Sequence, residues 1–356
     1  MSIRPEIAVI RADFKRKLAD GTYDPLAERI IKRVRKLFPY PINGDAPLFL
    51  VLSLGHFLIS CLFFLWDGDD VLKRWEATSF LYALLLWAGI FLYARLYRQL
   101  YRVVSEHVVD ALTQTGDVHD LERLLAVFSN TPLTLLCVFL YAFLIITYVN
   151  SLIEPVYGLY KTGGLIASFS AHLASGIIMH HLLFLMLFPL ILSRYHIDLY
   201  ELDPRASPSI RHLSFVVRDS SYQLSLYATA FTLFMFYIMQ IPVFPLALIY
   251  LIPLLGFFIF RQIALSLIVG RARWTVLERL SAGMEKLDVE HHFDNPAIQN
   301  QYKAMLDYYN RVKNAATGVF DARTAVLLFN SLLLPLIAFV LFQFDKLVAF
   351  FEKYLR

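Results

Sequence analysis

Hydrophobic residues in this chain gather into long unbroken runs, not the short stripes of a soluble domain. Seven runs stand out, at about 47–66, 78–97, 131–153, 170–193, 222–240, 243–268 and 324–344. A helix needs about 20 mostly apolar residues to cross a hydrocarbon core of roughly 30 Å, and runs of this length read as membrane helices. The expected fold is therefore all-α, a polytopic membrane protein with seven transmembrane helices. Asn130-Thr131-Pro132 and Ser207-Pro208 each set a capping residue ahead of a proline, which is a helix-start signal. Trp66 and Trp75 flank the first outer turn, as interfacial aromatics do.

Between the runs the pattern turns amphipathic. Ile3, Ile7, Ile10, Phe14 and Leu18 recur at helical spacing, and Leu26, Ile30, Val34 and Leu37 share one side of a second helix. Residues 1–46 are too polar for a signal peptide, and Glu6, Asp13 and Asp20 argue against a transit peptide. They predict a helical hairpin packed on the bundle, or a basic helix that meets anionic lipid. After the second run, Tyr97, Tyr101, Val104, Val108 and Leu112 keep helical spacing up to Thr115-Gly116. The helix from Pro208 reaches the fifth run unbroken, the sixth continues to about Leu287, and another helix begins at Asn295-Pro296. The chain thus divides into cytoplasmic amphipathic helices (1–46), six spans with helical inner loops (47–268), a cytoplasmic hairpin (269–323), and a seventh span with a short outer tail (324–356).

Composition agrees, since charged residues are 17% of the chain against roughly 25% in soluble proteins. The charge is sorted by loop. Twenty-seven of the 33 Lys and Arg fall in residues 1–46, 94–130, 194–221 and 261–323, leaving six for the alternate connections. By the positive-inside rule the amino terminus is cytoplasmic and the carboxyl terminus outside. This sorting also removes any reason to expect a nucleic-acid partner. Cys61 and Cys137 fall inside spans, with neither disulfide nor metal-ligand spacing. The absence of Asn-x-Ser/Thr sequons and organelle signals leans toward a bacterial inner membrane.

Three groups of residues are candidates for chemistry. His56 sits halfway along the first span and His180 halfway along the fourth, so both are expected near the midplane. His172 and His180 share a face of the fourth helix. Imidazoles at that depth could ligate a haem or relay protons, or they could bond neighbouring helices. Ser221, Ser225, Thr229, Thr232 and Gln240 form a polar stripe on the fifth span, either lining a water-filled path or making a packing seam. Asp288, Glu290, His291, His292 and Asp294 crowd an inner turn and read as a solvated surface. No Walker loop, GxSxG, HExxH or HRD-like run occurs, so neither a catalytic residue nor a metal site is expected.

The last run carries a resemblance. It ends LIAFVLFQF, and Gln343-Phe344 is similar to the Gln-Phe that closes the gustatory-receptor signature; the Thr-Tyr that opens that signature is replaced by Leu336-Ile337. With seven spans, an inner amino terminus, an outer carboxyl terminus and helices extended inward, the chain resembles the insect odorant and gustatory receptor channels. The resemblance implies a tetrameric cation channel whose seventh helices line the pore, with Asn330, Ser331 and Gln343 as its polar residues.

Function is therefore expected to be that of a non-enzymatic, homo-oligomeric ion channel or membrane sensor with a cytoplasmic helical stalk. The alternatives are a haem-binding redox or transport protein using the intramembrane histidines, and a membrane anchor for a soluble cytoplasmic partner. Impermeant thiol labelling of single cysteines, in a background lacking Cys61 and Cys137, should find Gly116→Cys, Ser207→Cys and His292→Cys protected in intact cells. Gly68→Cys and Lys161→Cys should react from outside, and outside labelling at position 292 would reverse the orientation.

Overall fold

The computed structural model describes residues 5–38, 44–67, 69–157, 162–201, 203–237, 243–287 and 295–315. Among them the regular structure is helical, and the only extended pairing is a bridge between Leu112 and Ile197. The helices are α1 (Pro5–Ala19), α2 (Leu26–Leu37), α3 (Ala46–Asp67), α4 (Asp69–Val103), α5 (Val109–Ala111), α6 (Thr115–Ser129), α7 (Thr131–Tyr157), α8 (Thr162–Leu192), α9 (Pro208–Tyr237), α10 (Val243–Glu285) and α11 (Pro296–Asn314). A π-turn, Val104–Val108, joins α4 to α5. Six of the apolar runs therefore fall on α3, α4, α7, α8, α9 and α10, while the seventh lies outside the described residues.

Among the described residues three helices are long and apolar enough to cross a membrane: Ala46–Trp66, Ser79–Ala111 and His172–Leu192. A fourth span results if Thr115–Ser129 and Thr131–Leu144, bent by 52°, are taken as one. Their outer faces suit lipid. Leu50, Leu54, Leu58 and Leu62 recur every fourth residue on α3 and stay exposed, as do Leu136, Leu140 and Phe143 on α7. Each such side chain forgoes about 1.5–3 kcal/mol if water covers it. Acyl chains remove that cost.

The core runs along the inward faces of α4, α8, α9 and α10. The run that holds the histidines becomes the hub, since α8 packs against α3, α4, α7 and α10. Two glycines allow close approach. A Cβ on Gly176 of α8 would stand 3.0 Å from the Val138 backbone of α7, and one on Gly89 of α4 would stand 2.6 Å from the Tyr227 hydroxyl. The Asn130 carboxamide caps α7 by accepting from the Leu133 amide at 3.1 Å. As Ser207-Pro208 predicts, α9 starts at Pro208, and the Ser207 hydroxyl accepts from the Tyr200 amide at 2.7 Å and ties down the preceding loop.

The extension of α4 ends earlier than its spacing predicts. Leu112 turns extended, and Thr113 N–H donates to the His196 carbonyl at 2.9 Å while Asp198 N–H donates to the Ala111 carbonyl at 2.6 Å. Backbone pairing with the loop replaces the next helical turn, and Thr115-Gly116 opens α6 rather than ending α4. At the far end the last turns of α10 pack on α11 through Val276, Leu277 and Val312.

The amino-terminal helices pack on this assembly. On α1, Ile7, Phe14 and Leu18 are buried, as the spacing predicts. The Arg11 guanidinium donates to the Leu112 carbonyl, Lys15 pairs with Asp110, and Lys17 pairs with Glu122 at 2.7 Å. On α2 the buried residues are Ala27, Glu28 and Ile31, whereas Leu37, expected on the packing side, is 80% exposed. The packing face is rotated from the stripe of large apolar residues.

Burial pushes the Glu122 carboxyl up, but its hydrogen bonds from Lys17 and Tyr23 outweigh burial and hold it below the ordinary 4.5. Its contribution is therefore complete above pH 4.5 and is lost as pH falls below that value. The pair is partly exposed, so the contribution is about 0.5–1 kcal/mol. Hydrogen exchange, corrected for intrinsic rates, should show α1 amides losing protection between pH 6 and pH 3.5. Glu122→Gln should remove that pH dependence; an unchanged pH dependence would assign it to another group.

Candidate functional site

The helices come together in a polar layer near their charged end. Asp45, just before α3, accepts from Arg35 and from Arg98 of α4. Burial works to raise Asp45, but the two guanidinium groups outweigh it and hold the carboxyl below its ordinary 3.8. Glu28, 3.6 Å from Arg98, is shifted the other way, because burial dominates and raises it. This cluster marks the level at which the apolar part of α3 begins.

One residue before Arg98, Tyr97 turns into the bundle. Its ring centroid lies 5.3 Å from His181 and 4.9 Å from Phe184. His180 sits 5.7 Å from His181 and 5.7 Å from Phe128 at the end of α6. Both imidazoles are buried, at 7% and 1% exposure. Neither His181 nitrogen, nor Nδ1 of His180, has a hydrogen-bond partner of good geometry among the described residues.

On the other side of the layer, Arg261 of α10 is fully buried, and its guanidinium donates to the Ser220 hydroxyl of α9 at 2.6 Å. Ser220 occupies the same level. On α9, His212 stacks on His107 at 4.0 Å, and Tyr227 reaches Gly89. Residue 220 lies midway between 212 and 227, and position 98 lies midway between 107 and 89. Arg261, Ser220, His181, Tyr97, Arg98 and Asp45 thus form one cross-section.

His180 lies near the middle of the apolar stretch His172–Leu192 of α8, and its neighbour His181 meets Tyr97, one residue from Arg98 of α4. His56 is eleven residues past Asp45, about 16 Å further into the bundle at 1.5 Å per residue. His172 is eight residues, about 12 Å, from His180 on α8. His56 is closer in level to His172 than to His180, and among the described residues no ring contact links His56 to the pair.

The α9 stripe bonds largely to its own helix. The Ser221 hydroxyl donates to the Val217 carbonyl at 2.8 Å and Thr229 to the Ser225 carbonyl at 2.7 Å, and Ser221 and Ser225 are buried. Such back-bonding satisfies the hydroxyls within their own helix. The Thr232 side chain, Gln240, the 288–294 turn, and Asn330, Ser331 and Gln343 lie outside the described residues. Among the described residues no three metal-ligating side chains converge.

Sequence reading missed Arg261, the Arg261–Ser220 bond and the His107–His212 stack. Arg261 had a visible signal: it interrupts FFIF-RQ-IALSLIV inside an apolar run, and an ionisable residue there marks a site by default. Counting it with the inner charges concealed it. No protein-family model, curated protein or solved structure matches this chain.

Ser220→Ala should lower the unfolding midpoint in detergent, because a buried charged donor loses an acceptor at a cost of about 1–3 kcal/mol. Ser220→Thr, which keeps the hydroxyl, should restore most of it. An unchanged midpoint in Ser220→Ala would mean that the bond does not hold α9 to α10.

Proposed function

We propose that this chain is a seven-span membrane protein, amino terminus inside and carboxyl terminus outside, that works without catalysis as an oligomeric ion channel or membrane sensor. Its helices extend into a cytoplasmic stalk. The observation that carries this reading is continuity across the polar layer. At 1.5 Å per residue the 35 residues of α4 measure about 52 Å and the 43 of α10 about 64 Å, against a hydrocarbon core of roughly 30 Å. Both pass from lipid-facing stretches into charged ends without a break, and α9 does the same.

A displacement among the spans therefore reaches the stalk as rigid-body motion, which gating or sensing requires. The seventh helix, with Asn330, Ser331 and Gln343, is the proposed pore lining, on the strength of the resemblance at Gln343-Phe344. The buried His180–His181 pair favours a second reading, in which these imidazoles hold a haem or pass protons.

The test is reconstitution of the purified protein in planar bilayers, with oligomer size measured by mass photometry. Discrete cation currents whose amplitude changes in Gln343→Leu are the expected result. A monomer without currents that carries a Soret absorption band would replace the channel reading with the haem reading.

A further inference from the structure

Of the apolar stripe of α2, Val34 packs against the core while Leu26, Ile30 and Leu37 lie off the packing face, and their surroundings indicate what covers them. At 100° per residue, Leu26, Ile30 and Leu37 fall within about 40° of one another. Ala27, Glu28 and Ile31, the residues buried against the bundle, lie about a third of a turn away. Arg33 is in line with the stripe, and Lys36 flanks it on the side opposite Ala27, Glu28 and Ile31; both are exposed.

The helix lies across the ends of three apolar helices. The Arg29 guanidinium donates to the Thr131 hydroxyl at the first residue of α7, at 3.0 Å. Arg35 bonds Asp45 just before α3, and Glu28 meets Arg98 of α4. This is where the apolar stretches of α3 and α7 begin, at Ala46 and Thr131.

We propose that α2 is an interfacial helix that binds anionic phospholipid: Leu26, Ile30 and Leu37 enter the acyl boundary while Arg33 and Lys36 engage headgroup phosphates. The chemistry fits on both counts. A half-exposed apolar stripe at that depth gains from acyl contact, and a cationic flank gains from the negative leaflet. Positive-inside sorting places the same helix on the leaflet that carries the anionic lipid. The inference rests on the membrane reading above and adds the ligand of one surface.

The test uses the full chain, with Cys61 and Cys137 replaced by alanine and a spin label on Leu37→Cys, in nanodiscs containing phosphatidylglycerol. The label should be more accessible to oxygen than to a water-soluble nickel chelate. A label at Leu58→Cys, on the exposed stripe of α3, is the control. If Leu58 reports lipid while Leu37 reports water, the interfacial proposal falls and the membrane reading stands. If Leu58 also reports water, the membrane reading falls.

Shielding of Leu37 from both reagents would assign the stripe to a second copy or a protein partner and overturn the proposal. In the companion measurement, phosphatidylglycerol is titrated into the detergent-solubilised protein. Arg33→Glu with Lys36→Glu should weaken binding at least about tenfold, since each basic side chain near an anionic surface contributes about a fivefold factor. Lys303→Glu on α11 should leave it unchanged, and an equal loss there would reduce the effect to net charge.

Discussion

A guanidinium does not survive alone in hydrocarbon, and Arg261 is buried without exposed surface in the mainly apolar stretch 243–269 of α10. That constraint fixes α10 against α9. Sliding either helix by one turn would carry Arg261 away from Ser220 and bring it against apolar side chains. The remaining packing follows this level. Tyr97, His181 and Phe184 fill the cross-section beside it, and Arg98 with Asp45 closes it where α3 begins. Arg261, Arg98 and Asp45 bring their charges to one level, which sets the register of the helices that carry them.

The amino-terminal helices extend the same logic outward. Their apolar residues alone would leave α1 free to rotate on a greasy surface. Lys15, Lys17 and Arg11 each reach a different acceptor on the α4–α6 segment, which selects one orientation. Individually these exposed or half-exposed pairs contribute little. Their value lies in geometry, because three anchors at i, i+4 and i+6 cannot be satisfied by a rotated helix.

The apolar runs were legible because length and hydropathy are local properties, and six of them fall on helices. The layer was not. Its level depends on offsets between helices, and α4 begins at Asp69, well before the apolar run that announced it. His180 keeps its place near the middle of its own apolar segment, but the rings around the pair, Tyr97 against His181 and Phe128 against His180, come from other helices and leave no trace in that segment. The α2 stripe shows a related limit: periodicity identifies Leu26, Ile30 and Leu37 as a face, but only the shape of α4 decides that the smaller Ala27 and the acidic Glu28 turn toward it. The glycine contacts and the Leu112–Ile197 bridge, likewise, exist only between distant segments.

The π-turn at Val104–Val108 has a consequence for phase. Val104, Val108 and Leu112 are spaced by four and are all buried, at 0%, 1% and 0% exposure. In an unbroken α-helix a step of four drifts by about 40° around the axis, and Leu112 has already left the helix for the bridge to Ile197. A turn closed on i+5 accommodates an extra residue and absorbs that drift. The segment behaves like a helix with one residue inserted, its faces above and below brought back into alignment. Deleting a single residue there would return the turn to ordinary α geometry, making this the one stretch of α4 where a change in chain length need not scramble the side chains on either side.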